Sequence, residues 1–276
     1  MNINARNITA RLGIQMLFWF LAIPSVGAIS DTIPDLTKQT QRGDWLRLPS
    51  GKVVWVEMLD TEDESDEFVD AGRGLESSHR RSNPASCVTS NFAGVVRKNA
   101  KTIPHKGWAK SFATLDKLVG WLPSDSLMAH HEPPIRGGSD SKRVAEERRN
   151  VKIKRAWLLG VYREEDNDFH AVLCNRSKYD NTALLFSIEV SGLPERSSVS
   201  RCTYRKLENA RKKLISRLGD LRCGNTFLFP QNGLPVQIKG SLFFDSQHAG
   251  QTHGRKGLNP NSAWEIHPVT KIKWLD

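Results

Sequence analysis

The chain has 276 residues, 38% hydrophobic and 25% charged, with a formal net charge of +10 at pH 7. This composition excludes a disordered chain, and the basic excess suits anionic partners such as nucleic acid, wall polymers or a membrane surface. The four cysteines include no Cys-x-x-Cys, which excludes zinc-knuckle and thioredoxin-like chemistry.

Arg6 and Arg11 flank the start of an apolar run, Leu12 to Val26, that ends in Val26-Gly27-Ala28. A basic start, a short apolar core and small residues at the end predict a signal peptide over 1–28, cleaved near Ala28. The run is shorter than the ~20 residues that a membrane span needs. The mature chain is therefore expected to be secreted or periplasmic, with no transmembrane segment after cleavage. Residues 29–40 are expected to be a polar tether. Export permits disulfides. Cys202 and Cys223 bracket a helical segment and are expected to be bridged, while the pairing of Cys87 and Cys174 stays open.

A first β module is expected over 41–130. Trp45, Leu46 and Leu48, a turn at Pro49-Ser50-Gly51, then Val53 to Val56 give a hairpin signal. Residues 60–91, first acidic and then rich in Gly, Ser and Arg, predict a mobile surface insertion. Structure resumes at Ala93 to Val96, then at Gly107 to Ala113 and Leu118 to Leu127. The stretch Gly120-Trp121-Leu122-Pro123-Ser124-Asp125-Ser126-Leu127 resembles the end of an SH3-like barrel, where a strand enters a short 3₁₀ turn and a last strand. The resemblance implies an SH3-like module of bacterial type, with Trp121 and Pro123 at its binding surface. Ser126 stands where polyproline-binding SH3 domains carry tyrosine, so a wall polymer or envelope protein is the implied partner. Pro133-Pro134, Gly137-Gly138-Ser139 and the charged run to Arg149 predict a flexible linker over 131–150.

The second module is expected over 151–276. Strands are predicted at 151–162, 169–174 and 183–190, separated by turns at 164–168 and 178–181. Tyr204, Leu207, Ala210, Leu214 and Leu218 then recur at helical spacing among Arg and Lys, ending at Gly219 as a C-cap. Strands at 235–245 and 264–274 complete the order. The whole is mainly β with one amphipathic helix: an SH3-like barrel followed by a small OB-like barrel. Asp166-Asn167-Asp168-Phe169-His170, Phe243-Phe244-Asp245-Ser246-Gln247-His248 and Glu265-Ile266-His267-Pro268-Val269 together resemble an exported bacterial family without an established activity. That resemblance supports the domain and implies no reaction.

Two functions are weighed. The first is an exported binding or scaffold protein of the cell envelope or secreted fraction, because no complete catalytic constellation is visible. The alternative is a metal-dependent hydrolase, possibly a nuclease. Asp245, His248, Glu265 and His267, with His253 nearby, cluster acid and imidazole groups. Period two places Glu265 and His267 on one face, and this ligand set suits Zn²⁺ or Mn²⁺. In a purely structural arrangement His267 would bond a backbone carbonyl or Asp245, and Glu265 would face solvent. Asp166, Asp168 and His170 also share a face, where turn formation is the simpler role; proximity of His170 to His267 would favour a metal. Nucleic acid is a further partner on charge grounds. It would use Phe243, Phe244, Trp264 and Trp274 together with the basic helix of Arg205, Lys206, Arg211, Lys212, Lys213 and Arg217.

Overall fold

Alternating apolar residues from Val151 onward form β4 (Asn150–Arg163), which is long enough to pair along both edges. A bulge between Ile153 and Ala156 bends it. One edge pairs antiparallel with β5 (Phe169–Cys174) and the other with β8 (Leu234–Phe244). β5 continues to β6 (Leu185–Val190), β6 pairs parallel with β9 (Trp264–Trp274), and β9 returns antiparallel to β8. The circuit β4-β5-β6-β9-β8-β4 closes a barrel. Together with a helix between the third and fourth strands, this is the expected OB-like arrangement.

Closure divides the strands into two faces. Inward rows run Ile153–Ile238–Ile272 and Val161–Ala171–Ile188–Ile266–Leu242, and all of these residues are buried in one core. Outward rows run Tyr162–His170–Glu189 and Ser187–Glu265–Phe243. The helix α4 (Arg201–Leu218) starts at Ser200, whose hydroxyl accepts from the Thr203 amide, and ends at Gly219 with φ of 86°. Leu207, Ala210, Leu214 and Leu218 are its buried stripe, as their spacing predicts.

This computed structural model describes residues 43–47, 53–57, 90–219, 221, 226–228, 232–249 and 258–275. The predicted signal peptide, the tether, most of the insertion, Cys87, Cys223 and His253 lie outside these residues. No helix among the described residues is long and apolar enough to cross a membrane. The predicted hairpin forms as β1 (Gly43–Arg47) paired with β2 (Val53–Glu57). A short strand, β7 (Thr226–Leu228), adds to β4.

The segment 98–129 differs from expectation in its local structure. It forms α1 (Lys98–Thr102), β3 (Ala109–Phe112), α2 (Leu115–Val119) and α3 (Asp125–Ala129). β3 pairs parallel with β4 and so joins the barrel's sheet. A helix stands where a last strand was expected, because the Ser124 hydroxyl caps α3 by accepting from the Leu127 amide. Trp121 and Pro123, expected at a binding surface, serve packing here. Trp121 lies 5.1 Å from the Phe112 ring, under Lys110 and Arg149, and the Pro123 carbonyl accepts from Trp264 Nε1 at 2.9 Å.

The flexible linker over 131–150 is likewise corrected. Glu147 is fully buried and holds both terminal guanidinium nitrogens of Arg97, at 2.8 and 2.7 Å, and the amides of Val144 and Phe244. Arg143, also buried, donates to the carbonyls of Leu242, Ala100 and His267. Arg143 and Glu147 of its charged run are therefore internal wiring, while Lys142, Arg148 and Arg149 stay exposed, and all described residues fall in one compact unit, Gln41–Asp276.

The expected Cys202–Cys223 bridge is not found: Cys202 is an exposed free thiol, and Cys174 is free and buried. Sixteen helical steps at ~1.5 Å carry the chain ~24 Å from Cys202 to Leu218. Five residues cover at most ~18 Å on the way back, so only a fully extended return could approach bridging distance.

Candidate functional site

The outer face of β5, β6 and β9 carries most of the barrel's chemistry. Glu189 lies on β6, where every residue is buried, and it pairs in register with His170 on β5. Its Oε1 lies 3.2 Å from His170 Nδ1, and its Oε2 lies 2.7 Å from His267 Nδ1. The other imidazole nitrogen, His267 Nε2, lies 3.2 Å from Asp168 Oδ2. Glu265 Oε2 is 3.6 Å from His267 Nδ1, and Glu164 Oε1 is 3.7 Å from His170 Nδ1. A chain of carboxylates and imidazoles thus runs Asp168–His267–Glu189–His170–Glu164, with Glu265 beside its centre.

Local structure fixes each member. The Glu164–Asp168 turn is closed by the Asn167 amide to the Glu164 carbonyl and by the Glu164 amide to the Asp168 carbonyl, with Asn167 at φ of 73°. Asp166 Oδ1 accepts from the Asp168 amide, and Asp168 Oδ1 accepts from the Gly192 amide. Arg211 of α4 is buried and donates to the carbonyls of Asn167, Val190 and Ser191, so one guanidinium ties the Asp168 turn to the end of the Glu189 strand. It stacks over Phe169 at 4.4 Å. Arg211 therefore belongs to the interior and not to a basic helix face open to nucleic acid.

Hydrogen bonding at the centre is incomplete. Asp168 Oδ2, Glu189 Oε2, Glu265 Oε2 and both ring nitrogens of His267 are buried and have no partner in hydrogen-bond geometry. The short His267 contacts are thus close approaches outside the N–H directions. Buried polar atoms are normally hydrogen-bonded; here His267 is held by ion pairs to Asp168 and Glu189, and these atoms could turn to a shared ligand. Two trios sharing Glu189, namely Asp168/Glu189/His267 and Glu164/His170/Glu189, each bring one ligand atom per residue within 4.8 Å of the others. Ligand atoms ~2.1 Å from one zinc ion sit ~3–4 Å apart, so small side-chain movements close either trio on a cation.

Charge follows from burial and neighbours. Burial opposes the charge on His267, but Glu189 and Asp168 on its two sides outweigh it and raise its pKa well above the usual value. The same competition lifts His170 to about 9, through its bond to Glu189 and the charge of Glu164. Burial would raise Glu189, yet His267 and Lys101 hold it well below the ordinary carboxylate range. Burial and Asp168 push Asp166 up to about 7; burial and Glu189 raise Glu265. Lys101 supplies a side-chain ammonium whose charge acts on this centre. Burial opposes its charge, but Glu189, Glu265, Asp168 and Asp166 raise its pKa.

Of the four residues expected to form a metal cluster, the structure joins Glu265 and His267 at the centre. Asp245 and His248 pair with each other at 2.8 Å, with His248 half-exposed. The expected structural arrangement is absent too, since His267 contacts carboxylates and Glu265 is buried. The anticipated approach of His170 to His267 exists, bridged by Glu189. Phe243, Phe244 and Trp264 are buried and offer no stacking surface, and Trp274 donates Nε1–H to the Lys213 carbonyl. Sequence reasoning missed Glu189 and Lys101. The signal for Glu189 was a lone acid inside the apolar run Leu185-Phe186-Ser187-Ile188-Glu189-Val190; Lys101 had none.

Searches against protein-family models, curated proteins and solved structures gave no match.

Proposed function

We propose that this chain is an exported metal-dependent hydrolase whose divalent cation is held by Asp168, Glu189 and His267. The supporting observation is the group of five buried, hydrogen-bond-deficient atoms on Asp168, Glu189, Glu265 and His267. Glu189 adds a buried carboxylate to the acid and imidazole groups singled out from the sequence, which supports this reading over a binding or scaffold protein. By analogy of fold alone, the site sits at the strand 2–strand 3 face and first loop, where OB-like barrels bind ligands. Mixed carboxylate and imidazole ligands suit Zn²⁺ or Mn²⁺. Such an ion lowers the pKa of bound water enough for attack at neutral pH. His170, which contacts Glu189 at 3.2 Å at the rim of the site, is placed to donate a proton to a leaving group. Lys101 offsets anionic charge beside it.

The test uses chelator-treated protein and its His267→Ala variant. Zn²⁺ or Mn²⁺ should raise the melting temperature of the wild type, because a ligand bound only by the folded state stabilises it. Metal-dependent cleavage of p-nitrophenyl esters or bis(p-nitrophenyl) phosphate should accompany binding, and both should vanish in the variant. Absence of a thermal shift with either ion, together with no metal in protein purified without chelator, would refute the proposal.

A further inference from the structure

Three cationic side chains gather on the ring of Phe243. Arg97 lies 4.5 Å, Lys101 5.8 Å and Arg143 6.0 Å from its centroid. Phe243 is the register partner of Glu265, and its ring lies 5.4 Å from that of His267, so all three stand beside the carboxylate–imidazole centre. Two of them are held by partners of their own. Arg97 pairs with Glu147, and Arg143 donates to the carbonyls of Leu242, Ala100 and His267. Lys101 differs: among the described residues its ammonium has neither a hydrogen bond nor an ion pair. It nevertheless lies close enough for Glu189, Glu265, Asp168 and Asp166 to attract its charge.

The backbone that carries Lys101 is fixed. Lys101 lies in the last turn of α1, where its amide donates to the Arg97 carbonyl. The carbonyl of buried Ala100, one residue earlier, accepts from the same Arg143 guanidinium that holds the His267 carbonyl. One side chain thus ties the backbone under Lys101 to the backbone under His267. The result is a half-buried ammonium beside four carboxylates that pairs with none of them. Such a group is open to an oxygen that the chain itself does not supply.

We propose that the substrate of this centre is a phosphate diester, with one non-bridging oxygen on the divalent cation and the other on Lys101. This rests on the metal reading above and narrows its substrate class. A phosphoryl group has two such oxygens, and cationic clamps stabilise the charge that develops on it. A neutral ester carbonyl has one oxygen, which the cation alone would take, leaving Lys101 without a role. A divalent cation and Lys101 together do not outnumber the carboxylates of Asp166, Asp168, Glu189 and Glu265, so no surplus positive charge remains for a second anionic charge. That selects a diester, with a single negative charge, over a monoester, which carries ~2 at pH 7. In the reaction, water adds to phosphorus and the bond to the leaving alcohol oxygen breaks with its electron pair on that oxygen. His170 protonates the leaving oxygen, and the proton that water loses returns to His170 through solvent. The products are an alcohol and a phosphate monoester.

The experiment uses chelator-treated wild type, Lys101→Gln and Lys101→Arg, each reloaded with Zn²⁺ or Mn²⁺. Rates are measured on bis(p-nitrophenyl) phosphate, p-nitrophenyl phosphate and p-nitrophenyl acetate, as enhancements over buffer without protein. Thermal shifts are measured with the metal alone, then with diethyl phosphate added. The wild type should enhance the diester most. Lys101→Gln should lower kcat/KM for the diester roughly tenfold or more, as loss of a hydrogen bond to a charged group predicts. It should also lose the diethyl phosphate shift. Its metal shift should equal or exceed that of the wild type, because a competing positive charge has gone, and that shift verifies its folding. Lys101→Arg, which keeps the charge, should recover the diester rate. Oligothymidylate, teichoic acid and phosphatidylglycerol vesicles then distinguish nucleic acid, wall polymer and lipid as the source of the diester. Lys101-dependent cleavage of one is expected. No metal shift in the wild type would overturn the metal reading and this inference with it. A wild-type metal shift, with the diester rate and the diethyl phosphate shift unchanged in Lys101→Gln, would overturn this inference alone and leave Lys101 a counter-charge. No turnover of the diester, a greater enhancement for the monoester or the acetate, or cleavage of none of the natural diesters would overturn the choice of a diester.

Discussion

Replacing Glu147 with Ala tests whether the 131–150 stretch is wiring or linker. Glu147 is fully buried, and its carboxylate accepts from both terminal Arg97 nitrogens and from the Val144 and Phe244 amides. Removing it strands the buried Arg97 charge and leaves two amides without their acceptor. Breaking a buried pair by deleting one partner costs about 3–5 kcal/mol. For a unit of this size each kcal/mol lowers the melting temperature by ~2–4 °C, so a fall of roughly 10 °C is expected. Thermal and urea denaturation at neutral pH measure it. Arg176→Ala is the control: its pair with Asp180 is half-exposed on both sides, and its loss should shift nothing measurable. Limited proteolysis adds a second readout. The wild type should resist cutting within 131–150, and Glu147→Ala should be cut there. A Glu147→Ala melting temperature within ~2 °C of the wild type, or early cleavage of the wild type in this stretch, would restore the linker reading.

Two further outcomes follow from particular contacts. The Pro133 carbonyl and Glu146 raise the pKa of His131, while the Glu146 backbone amide and His131 lower that of Glu146. The His131 contribution is full below its ordinary value of 6.5 and is lost as pH rises through the folded value; that of Glu146 is full above 4.5 and is lost as pH falls. The wild-type advantage over His131→Ala in melting temperature should therefore peak between those values, and a pH-independent difference would refute the pair. Gly240→Ala would drive a Cβ into the Pro268 carbonyl oxygen and the Ile266 side chain where β8 meets β9, whereas a Cβ at Gly137 meets nothing within 4 Å. Gly240→Ala should cost at least ~1–3 kcal/mol in urea denaturation, with Gly137→Ala near neutral.

The barrel was legible because its strands alternate and its helix repeats at three and four residues. The strands predicted at 169–174 and 264–274 match β5 and β9 to the residue, and Gly219 caps α4 as expected. The segment 93–150 was not legible for a different reason. Besides the core residues Phe112, Leu115, Leu118 and Met128, it is held by long-range polar contacts, such as Arg97 to Glu147 and Asp125 to Ser262, and these leave no periodic trace. Charged residues in a Pro- and Gly-rich run look solvated until a partner from another strand buries them. The site was half legible for the same reason. His267 and Glu265 stand out near a loop, but Glu189 sits in a strand so apolar that the run signals core and not a site.

The last expectation concerns the cost of assembling that centre. Asp168, Glu189 and Glu265 crowd around His267, and Glu265 Oε2 is buried without a hydrogen-bond partner. An ionised carboxylate there loses hydration and gains repulsion from Glu189 without full compensation. Glu265→Gln keeps the shape and removes the charge. In chelator at neutral pH it should therefore melt higher than the wild type. A cation changes the balance, because the same negative charge then attracts it. The melting increment produced by Zn²⁺ or Mn²⁺ should be smaller in the variant. The two effects have opposite signs only if the crowding serves a ligand, as expected where a functional site is held against the stability of the fold. A variant less stable than the wild type in chelator would mean that Glu265 is an ordinary structural carboxylate with a compensating partner. An unchanged metal increment would place the cation, if bound, out of reach of Glu265.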